Sequence, residues 1–203
     1  MSSLAPVRMS LVEALQILHA ARTDQVVVST MAAAREWMKL GTHPLDFVYA
    51  PSSMGQAPNL GLGIALARPE RQVIVCNGDG CMLMNLGALV TITAAAPPNF
   101  VLIVCDNGVY EVTGGQATAA TAAGRQGNRE IDFASIARSC GFEQVFAFHD
   151  AAAWRAELPN VLATRGPTFV ALRVEPMPGG LVPKSPAPAA ARARAFAAAC
   201  QGH

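Results

Sequence analysis

Two periodicities take turns along this chain. From Ser10 to Ala21, apolar residues fall at positions 11, 12, 15, 17 and 18, the spacing of one helix face, with Ser10 placed as N-cap and Glu13 three residues on. Gln25–Ser29 (QVVVS) is instead a short β-branched run, the pattern of a buried strand. The same two readings predict helices over Ala32–Leu40 (stopped by Gly41 and Pro44), Gln56–Ala67, Met84–Ala95, Asp132–Cys140 and Ala151–Thr164. They predict strands over Gln72–Cys76, Phe100–Cys105, Val145–Phe148 and Thr168–Val174, and a short one at Asp46–Tyr49. Within Gln56–Ala67, Gly61 and Gly63 predict close neighbours. Strands alternating with helices imply an α/β fold, a doubly wound parallel sheet with helices on both faces.

Composition narrows the class. The 203 residues suffice for one domain, and no internal repeat is present. After Pro176 the chain turns to Pro, Gly and Ala, which predicts a domain over 1–176 and a tail over 177–203 with a short weak helix. The chain is 52% hydrophobic and only 14% charged, a balance that suits extensive burial, within itself or against other subunits. Net charge is +1 with no basic run, which speaks against nucleic acid. No apolar stretch reaches the roughly 20 residues of a membrane helix. The first ten residues lack a charged region followed by an apolar one, so a cytoplasmic location is expected. The five cysteines, at 76, 81, 105, 140 and 200, form no CxxC pair and are expected as reduced thiols.

Chemistry concentrates where two predicted strands end. Gln72–Cys76 runs into Asn77-Gly78-Asp79-Gly80, and Phe100–Cys105 runs into Asp106-Asn107-Gly108. Ligands of open parallel sheets bind beyond the carboxyl ends of the strands. If these two strands are neighbours, Asp79 and Asn107 share a rim and offer a carboxylate and an amide carbonyl, hard donors suited to Mg²⁺. The glycines flanking Asp79 admit phosphate oxygens to backbone N–H groups, and a helix starting near Met82 adds its positive end. Spacing alone leaves a plainer reading open, in which Asp79 caps the next helix and Asn107-Gly108 is an ordinary turn. Gly61-Leu62-Gly63 lacks the third glycine of a dinucleotide loop, since Leu66 stands there.

These residues carry a resemblance. GDG followed, beyond one helix, by an Asn at a strand end resembles the signature of thiamine diphosphate-dependent enzymes. SSMGQAPNLGLGIALARPERQVIVCNGDGCMLMNLGALVTI and CDNGVYEVTGGQAT are similar to the diphosphate-binding half of phosphonopyruvate and sulfopyruvate decarboxylases, across Gln25–Val174. The resemblance implies thiamine diphosphate and Mg²⁺ as cofactors, with Asp79, Asn107 and the Val109 carbonyl as metal ligands. It implies Gly78, Gly80 and the Cys81 amide at the diphosphate, and Thr30 and Tyr110 beside the cofactor. Met54 falls at the apolar wedge that bends the cofactor, and the Ser52 carbonyl at its aminopyrimidine. Gln56 and Thr113 are candidates to face the substrate.

The implied reaction is decarboxylation of a 2-oxo acid with the cofactor as electron sink. The carboxylate that activates the cofactor belongs, in this family, to a pyrimidine-binding domain that this chain is too short to contain. A pyrimidine-binding partner subunit carrying that Glu is therefore expected, in an α–β hetero-oligomer containing a dimer of this chain. Glu111, four residues past Asn107, is expected to support its loop instead. Other chemistries of the same cofactor, carboligation or 2-oxo acid oxidoreduction, stay open, as does a cofactor-free regulatory subunit.

One segment departs from the family pattern. In Ser29-Thr30-Met31-Ala32-Ala33-Ala34-Arg35-Glu36, Met31 replaces a glycine, which puts a Cβ where the backbone needs φ > 0. Three alanines replace polar positions near the diphosphate. His43, in a Gly/Pro-bounded loop, is a minor candidate for the site, whereas His19 and His149 read as helix and loop residues. Arg125 and Arg129 are either a lid over an anionic substrate or solvated loop charge. Arg192 and Arg194 read as tail solubility.

Overall fold

The computed structural model describes residues 9–124, 126, 130–177 and 183–201. Strand β1 (Val26–Thr30) lies one strand in from an edge of the sheet. Helix α1 (Leu11–Ala21) precedes it, capped by the Ser10 hydroxyl, which accepts from the Val12 and Glu13 amides. Helix α2 (Met31–Leu40), strand β2 (Asp46–Tyr49), helix α3 (Ala57–Ala67) and strand β3 (Val73–Gly78) follow. Two short helices, α4 (Asp79–Met84) and α5 (Gly87–Ala95), lead to strand β4 (Phe100–Asp106). A two-residue hairpin, β5 (Val109–Tyr110) with β6 (Gln116–Ala117), precedes helix α6 (Phe133–Ser139), strand β7 (Gln144–Phe148), helix α7 (Ala151–Ala163) and strand β8 (Thr168–Arg173). The last element is helix α8 (Ala189–Gln201).

The six long strands form one parallel sheet in the order β2-β1-β3-β4-β8-β7. Side chains alternate across it and build two cores. Val73, Val75 and Leu102 face the layer of α3, α5 and α6, whereas Ile74, Val101 and Ile103 face α1, α2 and α7. Every residue of β1 and β4 is buried, as strands covered on both faces require. Gly61 is where α3 meets the sheet: a Cβ there would lie 2.2 Å from Val75 Cγ2. Gly63 has no such neighbour and is exposed, so the expectation of close packing holds at only one of the two glycines.

Three sequence expectations change. The single helix over Met84–Ala95 is two helices, and the first begins at Asp79 itself, not near Met82. The break is at Asn85, whose backbone leaves helical geometry and whose side-chain amide donates to the Gly55 carbonyl at 3.2 Å. Apolar residues on both sides of that break hide it from a periodicity argument. His43 lies at the amino end of β2, its ring accepting from the Leu45 amide at 3.1 Å, on the opposite rim from Asp79 and Asn107. Arg192 is not a solvated tail charge: its guanidinium donates to the carbonyls of Val48 and Ala50. Arg125 and Arg129 lie outside the described residues. All five cysteines are free, and four are buried. Among the described residues, no helix is long and apolar enough to cross a membrane.

Candidate active site

The chain departs from β1 in opposite directions, to β2 on one side and to β3 and β4 on the other. Such a switch point opens a crevice beyond the carboxyl ends of the strands. There Thr30 ends β1, Asp79 follows β3 and Asn107 follows β4. The register pairs Gly78 with Cys105, which sets the ends of β3 and β4 side by side.

Asp79 is 2% exposed. Its Oδ2 accepts from the Gly108 amide at 3.1 Å and from the Thr118 hydroxyl at 3.3 Å. Burial, and after it the nearby Asp106 charge, push its carboxyl up to about 7, against the pull of the Gly80 and Gly108 amides and the Thr118 hydroxyl. A carboxylate so placed is stabilised by a cation. Asn107 Oδ1 accepts from the Val109 amide at 2.9 Å, while its Nδ2 donates to Glu111 Oε1 at 2.8 Å. The same Glu111 oxygen accepts from the Met177 amide at 2.7 Å, and Arg35 lies 3.6 Å from Glu111 Oε2. Glu111 is thus the brace of the Asn107 loop.

Asp79, Asn107, Val109, Thr30, Gly78, Gly80 and Cys81 line one cavity of about 100 Å³, walled otherwise mainly by Met31, Met54, Met84 and Tyr110. Thr113 reaches its edge. Gln56 does not: it is exposed and accepts from Asn59 Nδ2 at 2.9 Å. Ser52 sits one layer back, its hydroxyl 3.6 Å from Met31 Sδ. Met31 itself adopts φ +52°, the left-handed geometry that its replacement of a glycine implies. A Cβ at Gly80 would lie 2.6 Å from the Tyr110 ring, whereas one at Gly78 would meet nothing within 4 Å. Glycine at 80 therefore lets the tyrosine close the cavity, and at 78 it leaves room for a ligand.

The donor set fits the expected ligands. One carboxylate and amide or backbone oxygens suit a hard cation that completes its shell with phosphate and water. No three His, Cys, Asp or Glu side chains converge among the described residues, so the set does not form an all-protein metal cage. The Asn77 side-chain oxygen Oδ1, buried beside the cavity, lacks a hydrogen-bond partner. Burial pushes the Cys81 thiol up, which keeps it a neutral lining group. Sequence reasoning did not single out Asp106, Asn77 or Thr118. The last lies in an Ala-rich run and reaches Asp79 only because the hairpin folds back, its amide donating to the Gly108 carbonyl at 2.9 Å.

Comparison with known proteins defines the class. The pattern of the thiamine pyrophosphate enzyme, C-terminal TPP binding domain, matches residues 26–172, so the chain belongs to that family. Phosphonopyruvate decarboxylase of Streptomyces viridochromogenes is 39% identical over 198 residues, covering 96% of this chain and 47% of that protein. Sulfopyruvate decarboxylase subunit beta of Methanothermobacter thermautotrophicus is 36% identical over 166 residues, covering 81% of this chain and 82% of that subunit. The chain thus spans about half the length of the first relative and most of the second. An X-ray structure from Mycobacterium smegmatis, described as a thiamin diphosphate-dependent enzyme, superposes with TM-score 0.68 at 24% identity, over 85% of this chain and 32% of that one. It shares the fold.

Proposed function

We propose that this chain is the diphosphate-binding subunit of a heteromeric, thiamine diphosphate- and Mg²⁺-dependent 2-oxo acid decarboxylase acting in the cytoplasm. The observation that carries the reading is the convergence of Asp79 and Asn107, from the ends of adjacent strands, on one cavity with Gly78 and Gly80 beside them. In this reading Asp79, Asn107 and the Val109 carbonyl hold Mg²⁺, while the Gly78, Gly80 and Cys81 backbone receives the diphosphate, with Thr30 across from it. Met54 and Tyr110 supply apolar surface against the rings, and the Ser52 carbonyl accepts from the aminopyrimidine. When bound, thiamine diphosphate supplies the electron sink for loss of CO₂. Once the partner covers the half-exposed Met54 and Met84, the apolar wall of methionines excludes water from that region, which strengthens the polar contacts inside it. Thr113, which lines the cavity, is assigned toward the substrate.

A partner subunit completes the site in this reading. Among the described residues, no carboxylate other than Asp79 and Glu111 lines the cavity, and both already have structural partners. A surface for the partner adjoins it. Residues 52–67 and 80–105 contain no charged side chain, yet α3 and α5 expose Leu66 and Val90, each at 55%, and the cavity mouth exposes Met54 at 46% and Met84 at 48%. Helices that are apolar all round belong in an interior, so the pyrimidine-binding subunit is assigned to this face. That a relative is named subunit beta agrees with such an assembly.

Calorimetry with thiamine diphosphate and Mg²⁺, with and without the co-expressed partner, tests the proposal. Binding that requires Mg²⁺ and is lost in Asp79→Ala is expected, and no binding in either condition overturns it. Full decarboxylase activity from this chain alone overturns the partner assignment. Met31, which projects into the cavity from left-handed backbone, favours a second reading as a cofactor-free regulatory subunit; the same titration separates the two.

A further inference from the structure

Helix α8 lies against the β2 edge of the sheet, with Phe196 edge-on to Phe47 at 5.1 Å between ring centres and Cys200 buried. The fit is incomplete: a cavity of about 260 Å³ remains between the helix and His43, Asp46 and Phe47. Arg192 bridges the two elements. Its Nε donates to the Ala187 carbonyl at 3.0 Å, within its own segment, while its two terminal nitrogens donate to Val48 and Ala50. Those two carbonyls end the edge strand. Beyond them the chain enters the turn Pro51-Ser52-Ser53-Met54-Gly55, which carries Met54 to the cavity and sets Ser52 one layer back, against Met31.

The turn has other ties as well, among them the Ser52 hydroxyl at 3.6 Å from Met31 Sδ. The Ser53 amide donates to the Tyr49 hydroxyl at 3.3 Å, the Gln56 amide to the Ser53 carbonyl at 3.1 Å, and Asn85 holds Gly55 at its exit. Its entry is held by Arg192. A planar guanidinium donating to two carbonyls fixes direction as well as distance, which a lysine ammonium does not.

We infer that Arg192 is a positioning residue for the candidate active site: by holding the Val48 and Ala50 carbonyls it sets the turn that presents Ser52 and Met54 to the cofactor rings. The inference rests on the proposed function for its ligand, and on the hydrogen bonds alone for the positioning. It differs from a role in solubility or general stability because it acts on one end of the cavity only. The diphosphate end of the proposed site, built by Asp79, Asn107 and Gly78, is held by β3 and β4.

The test uses the full chain with its co-expressed partner, as wild type, Arg192→Ala and Arg192→Lys. Hydrogen exchange at Ser53 and Gln56 reads the turn directly, and calorimetry reads Mg²⁺-dependent binding of two probes, thiamine diphosphate and inorganic diphosphate. Arg192→Ala is expected to speed exchange at both amides at least tenfold and to weaken thiamine diphosphate at least tenfold, leaving inorganic diphosphate within twofold. Arg192→Lys should fall between the two. Unchanged exchange overturns the positioning role, as does equal weakening of both probes, which marks a general loss of structure. If the wild type binds neither probe, the functional reading fails, and the exchange data still decide the positioning. Should Arg192→Ala not fold, the same comparison on Arg192→Lys decides it.

Discussion

The Gly108 amide donates to the Asp79 carboxylate at 3.1 Å, so the ends of β3 and β4 are joined through the group proposed to bind the cation. That bond and its Thr118 companion orient Asp79 without neutralising it. The sign of its pH dependence follows. A carboxyl raised from 3.8 to about 7 contributes stability that is fully present below pH 3.8 and is lost as pH rises through 7. Without Mg²⁺, the full loss is about 4 kcal/mol by pH 8. Asp79→Asn should abolish this loss, so the variant is more stable than wild type at pH 8 and nearly equal at pH 4, while Mg²⁺ no longer raises its melting temperature. Thermal unfolding at both pH values, with and without Mg²⁺, checks the difference between the two proteins.

Gly80 and Tyr110 form a coupled pair. Gly80→Ala places a methyl 2.6 Å from the ring and should cost roughly 1–3 kcal/mol, because the tyrosine must leave its place. Tyr110→Ala in the same chain should recover most of that cost. Urea midpoints of the two single variants and the double variant give the coupling energy. A value near zero means the ring does not rest on Gly80.

The two glycines of α3 should behave oppositely. Gly61→Ala drives a methyl to 2.2 Å from Val75 and is expected to prevent stable folding or lower the melting temperature sharply. Gly63→Ala meets nothing within 4 Å and should stabilise the isolated chain by about 0.5–1 kcal/mol through helix propensity. Since Gly63 lies on the uncharged face, Gly63→Glu should leave the isolated chain folded and weaken association with the partner. Sedimentation of the mixed chains reads that effect.

Met31 is the strained member of the cavity. Met31→Gly releases a left-handed backbone at a cost in methionine packing, so stability should change by no more than about 1 kcal/mol. Met31→Ile, branched at Cβ, should lose at least that much. If the side chain narrows the cavity, the glycine variant binds thiamine diphosphate more tightly than wild type.

Much of this was legible before any coordinate. The strands declared themselves because burial on both faces leaves unbroken apolar runs at 73–76 and 100–105. Asp79 stood out because a carboxylate between two glycines in such a setting requires a partner, and Asn107 followed from strand adjacency. What stayed hidden depended on contacts distant in sequence or on short local geometry. Asn85 breaks an apolar helix through one hydrogen bond to Gly55. Thr118 meets Asp79 across a two-residue hairpin, too short for any periodicity. Arg192 sits in an alanine-rich stretch with no pattern, and only the folded chain brings it to Val48.

That last contact also has a consequence in time. Residue 192 follows residue 50 by 142 positions, so a ribosome adding about 5–20 residues per second makes Arg192 roughly 7 to 30 seconds after the carbonyls it holds. By the end of that interval the sheet strands and the GDG segment have been synthesised, while the 51–55 turn still lacks its anchor. In the proposed reading, the rim of Asp79 and Asn107 is then made before the ring-facing side of the cavity is set. The 51–55 turn gains this anchor only once α8 has been made.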